Sequence, residues 1–278
     1  EEKKNLILLK VSFKKKILFF VVFCCFLLNF GQKKDFLKIF DEKITKNNHF
    51  LKNSAFVSGE ELRYKISYGK KNKKSGAILA AYATLNVTDS TLHNGTKIYA
   101  LNGHGKTTKI FSLFIKVSHK YRSLLDHKNL ETIESSMNIQ EGKYYNQDYT
   151  IVAENNLLKN SGSNDMLGAF YKLRAISREE VSQKDTLFFN YYYNNTIYNS
   201  NVIKLGEEIV KTKFGKLNTI KFAPLLEKGR MFKENSQAIV WVTDNSLHIP
   251  VKIEVPILVG SIYVNLISYK GLAFNLTE

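Results

Sequence analysis

The stretch Ala100-Leu101-Asn102-Gly103-His104-Gly105-Lys106-Thr107 has the glycine, lysine and threonine spacing of a phosphate-binding loop, except that Ala100 stands where the first glycine belongs. In such a loop the backbone amides cradle phosphates, and Ile239-Val240-Trp241-Val242 leading to Asp244 could pass for the strand that brings the acidic partner. That chemistry needs a parallel sheet with crossover helices, and the strand pattern described below is antiparallel. The histidines are His49, His93, His104, His119, His127 and His248, without the i, i+4 spacing or cysteine partners of a metal site. Neither Gly162-Ser163 nor Gly260-Ser261 completes the Gly-x-Ser-x-Gly turn of a common serine hydrolase. The acid pairs Glu60-Glu61 and Glu207-Glu208 would face opposite ways on a strand, so they read as turn and edge charges. The residues therefore predict a non-enzymatic protein without catalytic residues, metal or cofactor, and the rival enzyme reading is a hydrolase assembled from distant residues.

Binding is better served than catalysis. Phe188-Phe189 runs into Tyr191-Tyr192-Tyr193, and alternation puts Phe189, Tyr191 and Tyr193 on one face. Packing between sheet and helix is the plain reading of that stripe. The sharper one makes Phe189, Tyr191 and Tyr193, together with Trp241, the lining of a greasy cavity for an acyl chain or other apolar ligand.

The elements that would carry these residues are mostly strands. Leu62, Tyr64, Ile66 and Tyr68 alternate with Arg63, Lys65 and Ser67, which marks a half-buried strand ending at Gly69. A lysine-rich turn, Lys70 to Gly76, leads into a second strand from Ala77 to Val87. Further strands are predicted over 97–102, 130–140, 144–153, 185–193, 197–205, 217–224, 237–243, 251–256 and 261–269, mostly separated by Gly, Asn or Asp turns. Helices are predicted over 111–119 and over 166–176, the latter with Asp165 as N-cap. The expected fold is mainly β, a large antiparallel curved sheet forming a barrel or half-barrel with one or two short helices.

The 278 residues carry 41 Lys and Arg against 25 Asp and Glu, for a net charge of +16. With two cysteines and three prolines, the chain is neither a disulfide-stapled miniprotein nor a proline-rich stalk. Lys10 and Lys14-Lys15-Lys16 precede an unbroken apolar stretch from Ile17 to Leu28, the order of a secretory signal peptide and too short for the roughly 20 residues of a membrane span. A signal peptide over 1–31, a lead-in over 32–55 and one β-rich domain over 56–278 are expected, with no transmembrane span after signal removal. Cys24 and Cys25 lie inside the apolar stretch, and Phe23 before them argues against lipidation. Loss of 1–31 removes six Lys and two Glu, so +16 becomes +12 and the remainder stays basic. Outside the inner membrane, excess lysine suits anionic head groups or acidic polysaccharide, and nucleic acid is not an expected partner.

The punctuating residues resemble domain-of-unknown-function family 3108, an uncharacterised family of exported bacterial proteins. The resemblance spans roughly 56–271 and rests on Gly59-Glu60, Tyr64, Tyr68-Gly69, Tyr121, Ser123, Asp126, Asp165, Phe170-Tyr171, Arg174, Gly206-Glu207 and Gly215-Lys216. It closes on Gly229-Arg230, Trp241, Asp244, Pro250, Glu254 and Gly260. Related sequences would carry an acid shortly before Tyr121, where this chain has His119 and Lys120. The resemblance implies fold and export but no activity. The closing group is also similar to the end of lipoprotein-carrier proteins, whose curved sheet holds acyl chains against helices.

Together these readings predict a periplasmic or otherwise extracytoplasmic protein, with outer-membrane association as the finer expectation. It would bind an apolar or amphipathic envelope component, a lipid or glycolipid, in a β-sheet concavity. The alternative is a scaffold or assembly protein that meets an envelope partner through strand edges and a basic surface.

Overall fold

The structure, a computed structural model, describes residues 53–69, 77–92, 94–224, 237–257 and 260–277. The expected signal peptide, most of the lead-in and the Lys70 to Gly76 turn lie outside the described residues.

The described residues form thirteen strands, most of them built on alternating apolar and polar residues. They are β1 (Glu61–Gly69), β2 (Ile78–Thr91), β3 (Lys97–Thr107), β4 (Val117–Asp126), β5 (Thr132–Glu141), β6 (Tyr144–Ile151) and β7 (Asn164–Asp165). Two helices follow, α1 (Met166–Arg174) and α2 (Arg178–Gln183). The chain then returns to strand in β8 (Thr186–Tyr193), β9 (Thr196–Thr212), β10 (Gly215–Pro224), β11 (Ile239–Thr243), β12 (Pro250–Pro256) and β13 (Ser261–Lys270). One sheet contains them all, in the order β6-β5-β4-β3-β2-β1-β13-β12-β11-β10-β9-β8-β7. Neighbours are antiparallel except the short β7, which runs parallel to β8.

Register sorts the two faces. Ile66 pairs with Val264, Val264 with Ile253, Ile253 with Val240 and Val240 with Phe222, an apolar row crossing five strands. One residue away, Lys65, Asn265, Lys252, Trp241 and Lys221 form the matching row on the opposite face. The apolar face curls around α1, whose Met166, Leu167, Ala169, Tyr171 and Arg174 are all buried. A helix buried this completely belongs to the core rather than to an outer layer.

Side chains tie the two ends of the sheet together. Asp165 on β7 accepts hydrogen bonds from the hydroxyls of Ser123 on β4 and Thr132 on β5. The Asn164 amide donates to the Leu130 carbonyl at 2.6 Å, and the Tyr192 hydroxyl on β8 to Ser135 on β5 at 3.0 Å. Closure thus runs through β7 and these bonds, since no backbone ladder joins β6 to β8 among the described residues.

One local expectation, the helix over 111–119, is corrected. The phosphate-loop candidate, 100–107, lies within strand β3, paired along its length with β2, so its amides serve the ladder and form no loop. The helix expected over 111–119 is a single 3-10 turn, Phe111–Leu113, after which β4 begins at Val117. There Val117, His119, Tyr121 and Ser123 alternate inward, so a period of two wins over the helical spacing of the phenylalanines. The short α2 was not anticipated, although Ser177-Arg178-Glu179-Glu180 has the capping-box pattern and the Ser177 hydroxyl does accept from the Glu180 amide.

Gly168 in α1 yields a test. Alanine normally favours a helix over glycine by about 1 kcal/mol. Here an added Cβ would lie 2.6 Å from Thr132 Oγ1 and 2.8 Å from Asp165 Oδ1, against the bonds that close the sheet. Gly168→Ala is therefore expected to destabilise by about 1–2 kcal/mol in urea unfolding, the cost of overpacking a filled site. A stabilised variant would show that the cap region has slack.

Candidate functional site

Helix α1 carries a polar anchor at each end. At its start, Asp165 adopts extended backbone and accepts from the amides of Leu167 and Gly168, in addition to the two hydroxyls already named. Burial raises its pKa, and these hydrogen bonds oppose the rise. At its end, Arg174 is gripped on every side: Nη1 and Nη2 donate to the Glu60 carboxylate at 2.7 and 2.8 Å, Nε to the Leu247 carbonyl, and Nη2 also to the Ala55 carbonyl. Glu60 is 0% exposed, so the expectation that it is a turn charge is corrected: it is the counter-ion of the core arginine. The Tyr171 ring lies 5.0 Å from the guanidinium carbon, and burial, reinforced by the Glu60 charge, pushes its hydroxyl pKa well up.

Between these helices and strands β8 to β12 lies an apolar cavity of about 130 Å³. Phe170 and Leu173 of α1 and Val181 of α2 line one side; Leu187, Val202, Phe222, Val240, Val242 and Ile253 line the sheet side. Its polar contributors are Arg174 and His248. Four of the five Arg174 N–H donors go to Glu60 and to backbone carbonyls, whereas His248 has a ring nitrogen with no partner among the described residues.

His248 sits at φ +41, a left-handed conformation uncommon for a residue with a Cβ. Its Nδ1 is 3.0 Å from the Arg174 carbonyl. A carbonyl only accepts, so Nδ1 carries the proton and the neutral ring presents a lone pair at Nε2. Nε2 is buried and without a hydrogen-bond partner among the described residues. Its burial to 4% exposure, the left-handed backbone and the leftover acceptor beside the cavity single His248 out as the candidate functional residue.

Burial, with Arg174 and Arg178 nearby, lowers the His248 pKa, against the pull of the Arg174 carbonyl and Asp244. The folded state thus favours the neutral ring, so its stability contribution is full above the ordinary value of 6.5 and is lost as pH falls through the lower native value. His248→Asn tolerates the left-handed backbone and does not titrate. The stability advantage of the wild type over that variant is expected to shrink on acidification from pH 7 to 5, and a constant difference would contradict a buried neutral imidazole.

The four aromatic residues singled out from the sequence stand elsewhere. Phe189, Tyr191 and Tyr193 lie along β8 beyond Leu187, with Tyr191 stacked on Tyr198 at 5.2 Å. Trp241 is on the face opposite Val240 and Val242, under Lys252 Nζ at 3.6 Å, and donates to Glu208 at 3.2 Å. None of the four lines the cavity. His248, Arg174 and Glu60 were the residues missed; the Gly59-Glu60 and Arg174 positions of the family pattern were the available signal.

Among the described residues no group of three His, Cys, Asp or Glu side chains could hold a metal ion. The Ser123–Asp165 contact is a serine beside an acid, but both are buried and the carboxylate is engaged by helix amides. His119 lies 3.0 Å from Glu141 and not in that contact.

A family model described as protein of unknown function DUF3108 matches residues 63–267. No curated protein matches the chain. Among solved structures the chain is similar to a beta-barrel-like protein of domain of unknown function DUF1849 from Brucella abortus, with 6% identity and a TM-score of 0.41, covering 78% of this chain and 98% of that one. It is also similar to a protein with a YmcC-like fold from Bacteroides fragilis, with 10% identity and a TM-score of 0.32, covering 78% and 99% of the two chains.

Proposed function

The chain belongs to the DUF3108 family, and since that description supplies no activity, we propose from its own residues that it is an exported, non-enzymatic binding protein for an apolar or amphipathic envelope component. The lysines and apolar stretch over 10–28 support export to the periplasm. The observation that carries the binding reading is the cavity between α1, α2 and β8 to β12, apolar but for the unpaired acceptor of His248. A volume of about 130 Å³ is smaller than the roughly 300–1,000 Å³ of whole-ligand pockets. It suits the end of an acyl chain or a single ring, each buried methylene contributing about 0.8 kcal/mol. Nε2 adds a preference for a ligand with a hydroxyl or other donor, such as a lipid or glycolipid.

Native mass spectrometry of the chain purified from a bacterial periplasm tests this. A stoichiometric mass excess that organic extraction removes is the expected result. A uniformly apo protein would overturn the reading.

The end strand β6 favours a second reading, the scaffold. Tyr144, Tyr145 and Tyr149 are all at least half exposed there, as anchors at a partner surface often are. Cross-linking in cells should trap a reproducible envelope protein through these tyrosines if that reading holds, and the Tyr144→Ser/Tyr145→Ser/Tyr149→Ser variant should lose it.

A further inference from the structure

We propose that the connection between β3 and β4 is a membrane-docking tip that inserts into the surface of an anionic lipid bilayer. This goes beyond ligand binding and rests on a separate part of the molecule. The connection is anchored rather than loose: the Thr108 amide donates to the Ala80 carbonyl, its hydroxyl accepts from the Phe111 amide, and the Phe114 and Ile115 amides donate to the Phe111 carbonyl. Phe111 and Ile115 point inward and are buried. The same turn aims Ile110, Leu113 and Phe114 outward, with 72%, 83% and 56% of their surfaces exposed. Ile78, also exposed, directly precedes Leu79 and Ala80, whose carbonyls hold Thr108. Single exposed apolar residues are ordinary, but a cluster on one fixed turn marks an interaction site.

Charge selects the partner. Lys106, Lys109, Lys116 and Lys120 flank the cluster, all exposed and none in an ion pair among the described residues. No acidic residue occurs between Asp89 and Asp126. Glu141, opposite Val117 in the register, is buried against His119. Apolar side chains at an apex with lysines behind them match an interface where acyl chains lie beneath anionic head groups.

The test is vesicle co-sedimentation of the full chain and of the Ile110→Ser/Leu113→Ser/Phe114→Ser variant. Vesicles of phosphatidylcholine are compared with vesicles containing phosphatidylglycerol. The wild type should bind the anionic vesicles more strongly, and the variant should lose about tenfold or more in affinity, given three exposed apolar side chains withdrawn from lipid. High salt should weaken the wild type. Because the apolar 17–28 stretch is common to both proteins, a site-specific readout accompanies this: emission of the Leu113→Trp variant should shift to the blue on anionic vesicles and be quenched by brominated lipid, whereas Trp241 is already buried. Unchanged emission and equal sedimentation of wild type and triple variant would overturn the proposal.

Discussion

Arg174→Met is expected to lower the unfolding free energy by about 3–5 kcal/mol, the range seen when one member of a buried ion pair is removed. Methionine keeps much of the length and apolar stem of the side chain, so the loss is electrostatic. It strands the Glu60 carboxylate, which is 0% exposed, together with the Leu247 and Ala55 carbonyls. Burial alone would lower the arginine's pKa, but the paired Glu60 raises it, so the guanidinium stays charged at every accessible pH. The double replacement Glu60→Leu/Arg174→Met should recover part of the loss, because no charge is then left unpaired. Urea unfolding of the three variants and the wild type decides it. If the single and double variants were equally unstable, the pair would not be acting as a pair.

The second large effect falls at the other end of the same helix. Asp165→Ala is expected to cost about 2–4 kcal/mol: it removes an N-cap and leaves the buried Ser123 and Thr132 hydroxyls and two helix amides without their acceptor. Asp165→Asn keeps an acceptor oxygen and should cost less. The pH dependence separates the two. Burial raises the native pKa of Asp165 above the ordinary 3.8. A raised carboxyl stabilises the fold in its protonated form, so that contribution is complete below pH 3.8 and declines as pH climbs through the native value. The advantage of the wild type over Asp165→Asn should therefore narrow as pH is raised from 4 to 7. Widening would mean that the hydrogen bonds outweigh desolvation.

Why the strands were legible and the site was not follows from range. Period-two alternation, as in β1 and β5, and short runs of aromatic and β-branched residues, as in β8 and β13, are local signals that can be read from a few residues each. The Asp165 cap was legible for the same reason. The Glu60–Arg174 pair joins residues 114 apart, and nothing within either segment says that they meet. Trp241 lies away from the cavity because register, set by strands far along the chain, decides which face of β11 meets it. His248 lies in a short loop between β11 and β12, where no periodicity exists to betray burial or a positive φ.

If the cavity holds an apolar component, blocking the cavity should expel it. Val202→Trp would fill the space from the sheet side. Wild type and variant, both recovered from a bacterial periplasm and both shown to melt cooperatively, would be extracted with organic solvent and the extracts compared by mass spectrometry. One apolar or amphipathic species at about one equivalent is expected in the wild type, and its loss in Val202→Trp. The same load in both proteins, or none in either, would contradict binding in the cavity.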